Sequence, residues 1–211
     1  MLVLMVGRRK LTHGEAIQTP ARSAQSIIAL TLNYKRIKKK GASPIQRHGW
    51  MKPTIDFVKL NVDAAYNEDN GTGGTGAVIR DHLGSFVAGQ KRSLLNVEDA
   101  ATAEAWALRD GLALAGDLGC NKLVVEADCM EVVDIMQDGG NSLGAAAAIY
   151  EDCSFLCRSF ARARFQHCPR EANLVAHELA RFSEVSQGVW HNDPPDFLVP
   201  VIANDVTAVD G

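Results

Sequence analysis

Three acidic residues, Asp63, Glu104 and Asp128, stand where an isolated carboxylate is hard to account for. Asp63 ends the alternating run Val58-Lys59-Leu60-Asn61-Val62, and Asp128 ends the apolar run Leu123-Val124-Val125-Glu126-Ala127. Glu104 sits among Ala103, Ala105, Trp106, Ala107 and Leu108. A carboxylate in apolar company is expensive unless it is paired or metal-bound. Taken singly, Asp63 and Asp128 read equally well as turn residues, and Glu104 as part of a solvated helix face. Gathered at one point, the three would offer the oxygen ligands that hard divalent cations prefer. Two such ions about 4 Å apart can orient a water and stabilise the leaving oxygen of a phosphodiester.

The elements around these acids can be read from periodicity. Phe57 to Asp63 alternates as a strand that delivers its acid at the C-terminal end. The turn-rich stretch Asn67 to Gly74 separates it from a second strand, Gly76 to Arg80, and Asp81-His82-Leu83-Gly84 leads into a third, Ser85 to Leu95. Ala100 to Leu118 is rich in Ala and Leu, follows Glu98 and Asp99 and stops at Gly119, the pattern of a long helix. Leu123 to Asp128 reads as a fourth strand, Met130 to Gln137 and Ala145 to Phe160 as helices, Arg162 to Gln166 as a fifth strand, and Glu171 to Phe182 as a last helix. The order βββαβααβα predicts an α/β fold, a five-stranded mixed sheet with helices on both faces. On the last helix Asn173, His177 and Arg181 recur at i, i+4 and i+8, so they share a face.

Composition narrows the setting. A chain of 211 residues, 46% of them hydrophobic, suits one domain plus flanking segments. No apolar run approaches the roughly 18 residues that span a bilayer, so no membrane partner is expected. Met1 to Val6 is apolar, but its charges follow rather than precede it, unlike a secretory signal. Five cysteines without framework spacing suit a reducing, intracellular compartment, nuclear or cytoplasmic. Met1 to Lys52 holds eleven Lys and Arg against the single acid Glu15, a net of +10 in a chain of overall charge −3, which leaves −13 on the rest. This basic segment, densest at Lys35, Arg36, Lys38, Lys39 and Lys40, reads as a poorly ordered region or as an arm for nucleic acid. Residues 53–187 are expected to form the domain and residues 188–211 a tail that docks on the domain or on a partner.

The ordered blocks Val58 to Ala65, Gly76 to Asp81, Ala103 to Leu108, Val124 to Asp128 and His167 to His177 resemble type 1 ribonuclease H, closest to its plant branch related to retroelement reverse transcriptases. Trp50-Met51-Lys52-Pro53 is similar to the lead-in of that branch. The resemblance implies hydrolysis of the RNA strand of RNA–DNA hybrids with Mg2+ or Mn2+, leaving a 5′-phosphate and a 3′-hydroxyl. It makes Asp63, Glu104 and Asp128 metal ligands, His177 the occupant of the fourth ligand position, and His167 a loop histidine that handles protons or product release. Asn173 and Arg170, in the same block, are expected to meet nucleic acid.

Three departures from the family pattern bear on activity. His177 stands where Asp is usual, and a neutral imidazole is a softer, uncharged donor that favours manganese over magnesium. Ala100 and Ala101 replace the amide side chains that read 2′-hydroxyls in many members. Gly139 to Ala148 carries no basic residue where some bacterial members have a basic protrusion. The alternative reading is therefore a catalytically impaired nucleic-acid-binding or interaction module on the same fold; another nuclease or an integrase would share the acids but not the His167 to His177 block.

Overall fold

The structure, a computed structural model, describes residues 49–182 and 186–207. The basic cluster Lys35, Arg36, Lys38, Lys39 and Lys40 lies outside the described residues.

Three strands, β1 (Val58–Asn67), β2 (Thr72–Arg80) and β3 (Phe86–Leu94), form an antiparallel meander. Helix α1 (Ala100–Asp117) follows, capped by the Asp99 carboxylate, which accepts from the Thr102 amide at 2.7 Å. Then come β4 (Lys122–Ala127), α2 (Met130–Gln137), α3 (Ala147–Cys157), β5 (Arg162–His167), a short 3-10 turn at Arg170–Ala172 and α4 (Leu174–Arg181). Two further elements complete the chain, β6 (Gln187–His191) and α5 (Val199–Thr207). The sheet order is β5-β4-β1-β2-β3-β6, with β1, β4 and β5 parallel and the other pairings antiparallel.

The mixed sheet with helices on both faces is as expected, but it has six strands rather than five. The sixth crosses the expected boundary between domain and tail: Ala88 to Arg92 of β3 pairs with Gln187–His191, all but Gln187 in the segment expected as a tail. A third strand left at the sheet margin would expose a row of unpaired amides and carbonyls, and β6 covers it.

Period-2 burial explains the layering. Ala77 and Ile79 of β2 join Leu60, Val62, Leu108, Leu112 and Tyr150 in the main core beneath α1 and α3. Val78, between them, packs on the other side with Val175, Leu179 and Leu198 beneath α4 and α5. Lys59 and Asn61 alternate with Leu60 and Val62, and all four are buried. β1 is central and α4 covers its polar face, so that face is filled with hydrogen-bonded groups rather than water.

Two expected boundaries move. β1 continues to Asn67 instead of ending at Asp63, and β2 begins at Thr72 within the stretch expected to be turn. Gly74, in the stretch expected to be turn, and Gly76, in the expected strand, both serve close packing. A Cβ at Gly76 would collide with the carbonyl of Ala176, and one at Gly74 with that of Ala180, so α4 lies directly on the β2 backbone.

Candidate active site

Each acid is placed by an element whose packing leaves it little choice. The parallel β1–β4 ladder ends at Val62↔Ala127, and Asp63 and Asp128 are the next residue on each strand's course. Neighbouring parallel strands thus release their acids side by side, although β1 runs on. Helix α1 brings the third: Glu104, Leu108, Gly111 and Ala115 form one stripe, and at Gly111 a Cβ would stand 2.7 Å from Val62 Cγ1. The close approach of helix to strand at Gly111 carries Glu104, two turns earlier, to the same end of β1. There the Ala64 backbone amide hydrogen-bonds to it.

The electrostatics are those of crowded like charges. Burial, then Glu104 and Asp128, push Asp63 up to about 9, against the pull of Arg170. Burial, then Asp128, push Glu104 up to about 8, against the Ala64 amide and Arg170. The Asp63 carboxyl lies within hydrogen-bonding reach of Asp128. Glu104 Oε2 is buried and has no hydrogen-bond partner among the described residues. A buried carboxylate oxygen without a partner beside two further acids is a donor set short of positive charge, and it fits a hard divalent cation. As the side chains stand, no three His, Cys, Asp or Glu groups close around one point among the described residues.

Two residues of the α4 segment hold the acids. His177 Nδ1 is 2.7 Å from Asp63 Oδ2, and Nε2 is 3.1 Å from an Arg170 guanidinium nitrogen and 3.3 Å from one of Arg181. Guanidinium groups only donate, so Nε2 accepts, while Nδ1 makes the short contact to Asp63 and lies 3.4 Å from the same Arg170 nitrogen. Burial, then Arg170 and Arg181, hold the imidazole below its ordinary value. His177, expected at the fourth ligand position, is engaged at both ring nitrogens in this arrangement, by Asp63 and by two guanidiniums. Asn173 Nδ2 donates to Val62 O and to Asp128 Oδ1, each at 2.9 Å.

His167, the last residue of β5, pairs in register with Ala127, so it sits at the same sheet end as Asp128, exposed to solvent. Arg170 opens the 3-10 turn before α4. Ala100 and Ala101 lie in the first turn of α1 and offer only backbone groups.

Beneath the acids lies a polar network that the sequence did not reveal as part of the site. Trp50 Nε1 donates to Asn61 Oδ1 at 2.8 Å, and Asn61 Nδ2 reaches both Glu126 Oε2 at 3.1 Å and Asn173 Oδ1 at 3.3 Å. Glu126 in turn accepts from Lys59 at 2.6 Å and Gln166 at 2.7 Å. Trp50 also carries the Arg80 guanidinium 3.7 Å above its ring, and Arg80 pairs with Asp205 of α5 at 2.9 Å. The available signal was the series Lys59, Asn61, Asp63, polar at every second position of a strand.

Residues 61–183 match the family model described as Reverse transcriptase-like. A protein of Arabidopsis thaliana that carries a provisional ribonuclease H name is 27% identical over 159 residues, 74% of this chain and 26% of its own. The chain therefore spans about a quarter of that curated relative's length. The N-terminal ribonuclease H domain of a Mycobacterium tuberculosis protein superposes with a TM-score of 0.54 at 25% identity, covering 59% of this chain and 95% of that one. Ribonuclease H1 of Halobacterium salinarum shares the fold at 23% identity, with a TM-score of 0.53 and coverage of 59% and 94%.

Proposed function

The chain belongs to the reverse transcriptase-like family, with the ribonuclease H fold, and on that premise we propose that it is a metal-dependent endonuclease acting on the RNA strand of RNA–DNA hybrids. The observation that carries the reading is the buried Glu104 oxygen, without a hydrogen-bond partner among the described residues, in electrostatic contact with Asp63 and Asp128. These three residues would hold magnesium or manganese, whose chemistry there is to activate water and stabilise the leaving oxygen.

The chain's own groups do the rest. His177 fixes the Asp63 carboxylate through Nδ1, and Asn173 fixes that of Asp128. His167, exposed at the same sheet end as Asp128, would give a proton from its ring to a departing oxygen. With Ala100 and Ala101 at the head of α1, recognition of the RNA strand falls to backbone groups, so discrimination against DNA is weaker than amide side chains would give.

One observation favours the second reading, an impaired nucleic-acid-binding module: His177 is committed at both nitrogens, which leaves three acids to grip the metal. The deciding experiment is cleavage of a labelled RNA–DNA hybrid by the full chain in magnesium and then in manganese, with Asp63→Asn as control. Cleavage abolished by the control supports the enzyme, whereas hybrid left intact under both metals at high protein concentration overturns it.

A further inference from the structure

We infer that Arg170 and Arg181, bracketing the ring of His177, form a grip for a phosphate of the nucleic-acid backbone beside the three acids. The inference rests on the reading that nucleic acid binds at this site, but not on turnover. Both guanidiniums meet at one acceptor, His177 Nε2, at 3.1 and 3.3 Å. Neither has a carboxylate within ion-pair distance among the described residues, unlike Arg80, Arg92 and Arg109. Both are exposed, and each has five N–H donors, most of which the ring nitrogen cannot take up. Holding two like charges on one neutral acceptor is unfavourable unless an anion completes the arrangement, and a guanidinium fork fits phosphate oxygens.

The location suits a backbone phosphate. His177, which both arginines contact through Nε2, has its other ring nitrogen 2.7 Å from Asp63, so an anion held by their outer donors sits next to the acids. The same geometry gives a reason for histidine at position 177. An aspartate there would pair with both arginines and cancel the grip, while the neutral ring anchors them without neutralising their charge.

The test measures binding in EDTA, where there is neither metal nor turnover, by anisotropy of a labelled RNA–DNA hybrid titrated with the full chain across a salt series. Replacing both arginines by alanine should weaken binding about ten- to a hundredfold, independently of sequence, and make the log K against log salt slope shallower by about one, for the one phosphate lost. Lysine at both positions should restore the slope but not the whole affinity. His177→Gln should keep the slope, whereas His177→Asp should flatten it with both arginines still present. Unchanged affinity and slope in the double alanine variant would overturn the grip. So would an equal loss on removing Arg158, which carries the same charge at the far end of α3. A hybrid that is bound in this manner yet never cleaved would remove the enzymatic reading and leave the grip standing.

Discussion

The side-chain nitrogen of Asn173 joins the Val62 carbonyl of β1 to the Asp128 carboxylate that follows β4, at 2.9 Å each. Its oxygen accepts from Asn61, so the whole side chain is committed. One residue thus clamps the two strand ends that present Asp63 and Asp128.

The first prediction concerns this clamp. Asn173→Ala frees the Asp128 carboxylate and leaves buried groups unsatisfied, with an expected loss of metal affinity of about 10- to 100-fold and of stability of about 1–3 kcal/mol. Calorimetric titration with Mn2+ measures the first and urea denaturation the second. A variant that binds Mn2+ as well as the unaltered chain would show that Asp128 needs no positioning.

Metal binding should release protons. Asp63 at about 9 and Glu104 at about 8 are largely protonated at pH 7 without metal, so a bound cation displaces their protons. The heat of Mn2+ binding at pH 7 should depend on the buffer's ionisation enthalpy, and apparent affinity should climb from pH 6 towards pH 9.

The same two acids set a pH dependence of folding. Their folded-state values are raised above the unfolded ones, so their contribution to stability is present in full below the unfolded values of about 4. It is lost as pH rises through about 8 and 9. Metal-free protein should melt at falling temperature between pH 6 and 10, and Asp63→Asn should flatten that trend. A trend unaltered in the variant would locate the titrating group elsewhere.

Gly76 faces Asp63 across the β1–β2 pairing and lies directly under α4, where a Cβ would strike the Ala176 carbonyl. Gly76→Val should lift the helix, break the His177–Asp63 hydrogen bond and cost about 3 kcal/mol or more. Gly116→Ala, in α1 with open space around its Cβ, should stabilise by about 0.5–1 kcal/mol. Thermal melts of the two variants give opposite signs, and the imidazole N–H resonance of His177 reports the hydrogen bond.

The fold's skeleton was legible because its signals are local. The Phe57 to Asp63 alternation, the Ala-rich helix stopping at Gly119 and the apolar run ending at Asp128 each declare an element within a few residues. What was not legible depends on partners far along the chain. The burial of Lys59 and Asn61 depends on the α4 segment, more than a hundred residues later, which covers them. The glycines of Asn67 to Gly74 signal a turn, and only the helix lying on Gly74 shows that Thr72 onwards is strand. His177 was legible as an occupant of the site, but its engagement at both nitrogens depends on Arg170, Arg181 and Asp63 arriving together.

The family match ends at residue 183, before β6 and α5, and begins at residue 61, after Trp50. A fragment trimmed to that match would lose the strand that covers β3, baring Ala88 to Arg92 as an open edge. It would also strand the Arg80 guanidinium, wholly buried, without Asp205 or the Trp50 ring. Such a fragment should associate with itself edge to edge, so that failure to recover it as a monomer would report on where the chain was cut rather than on the quality of its active site.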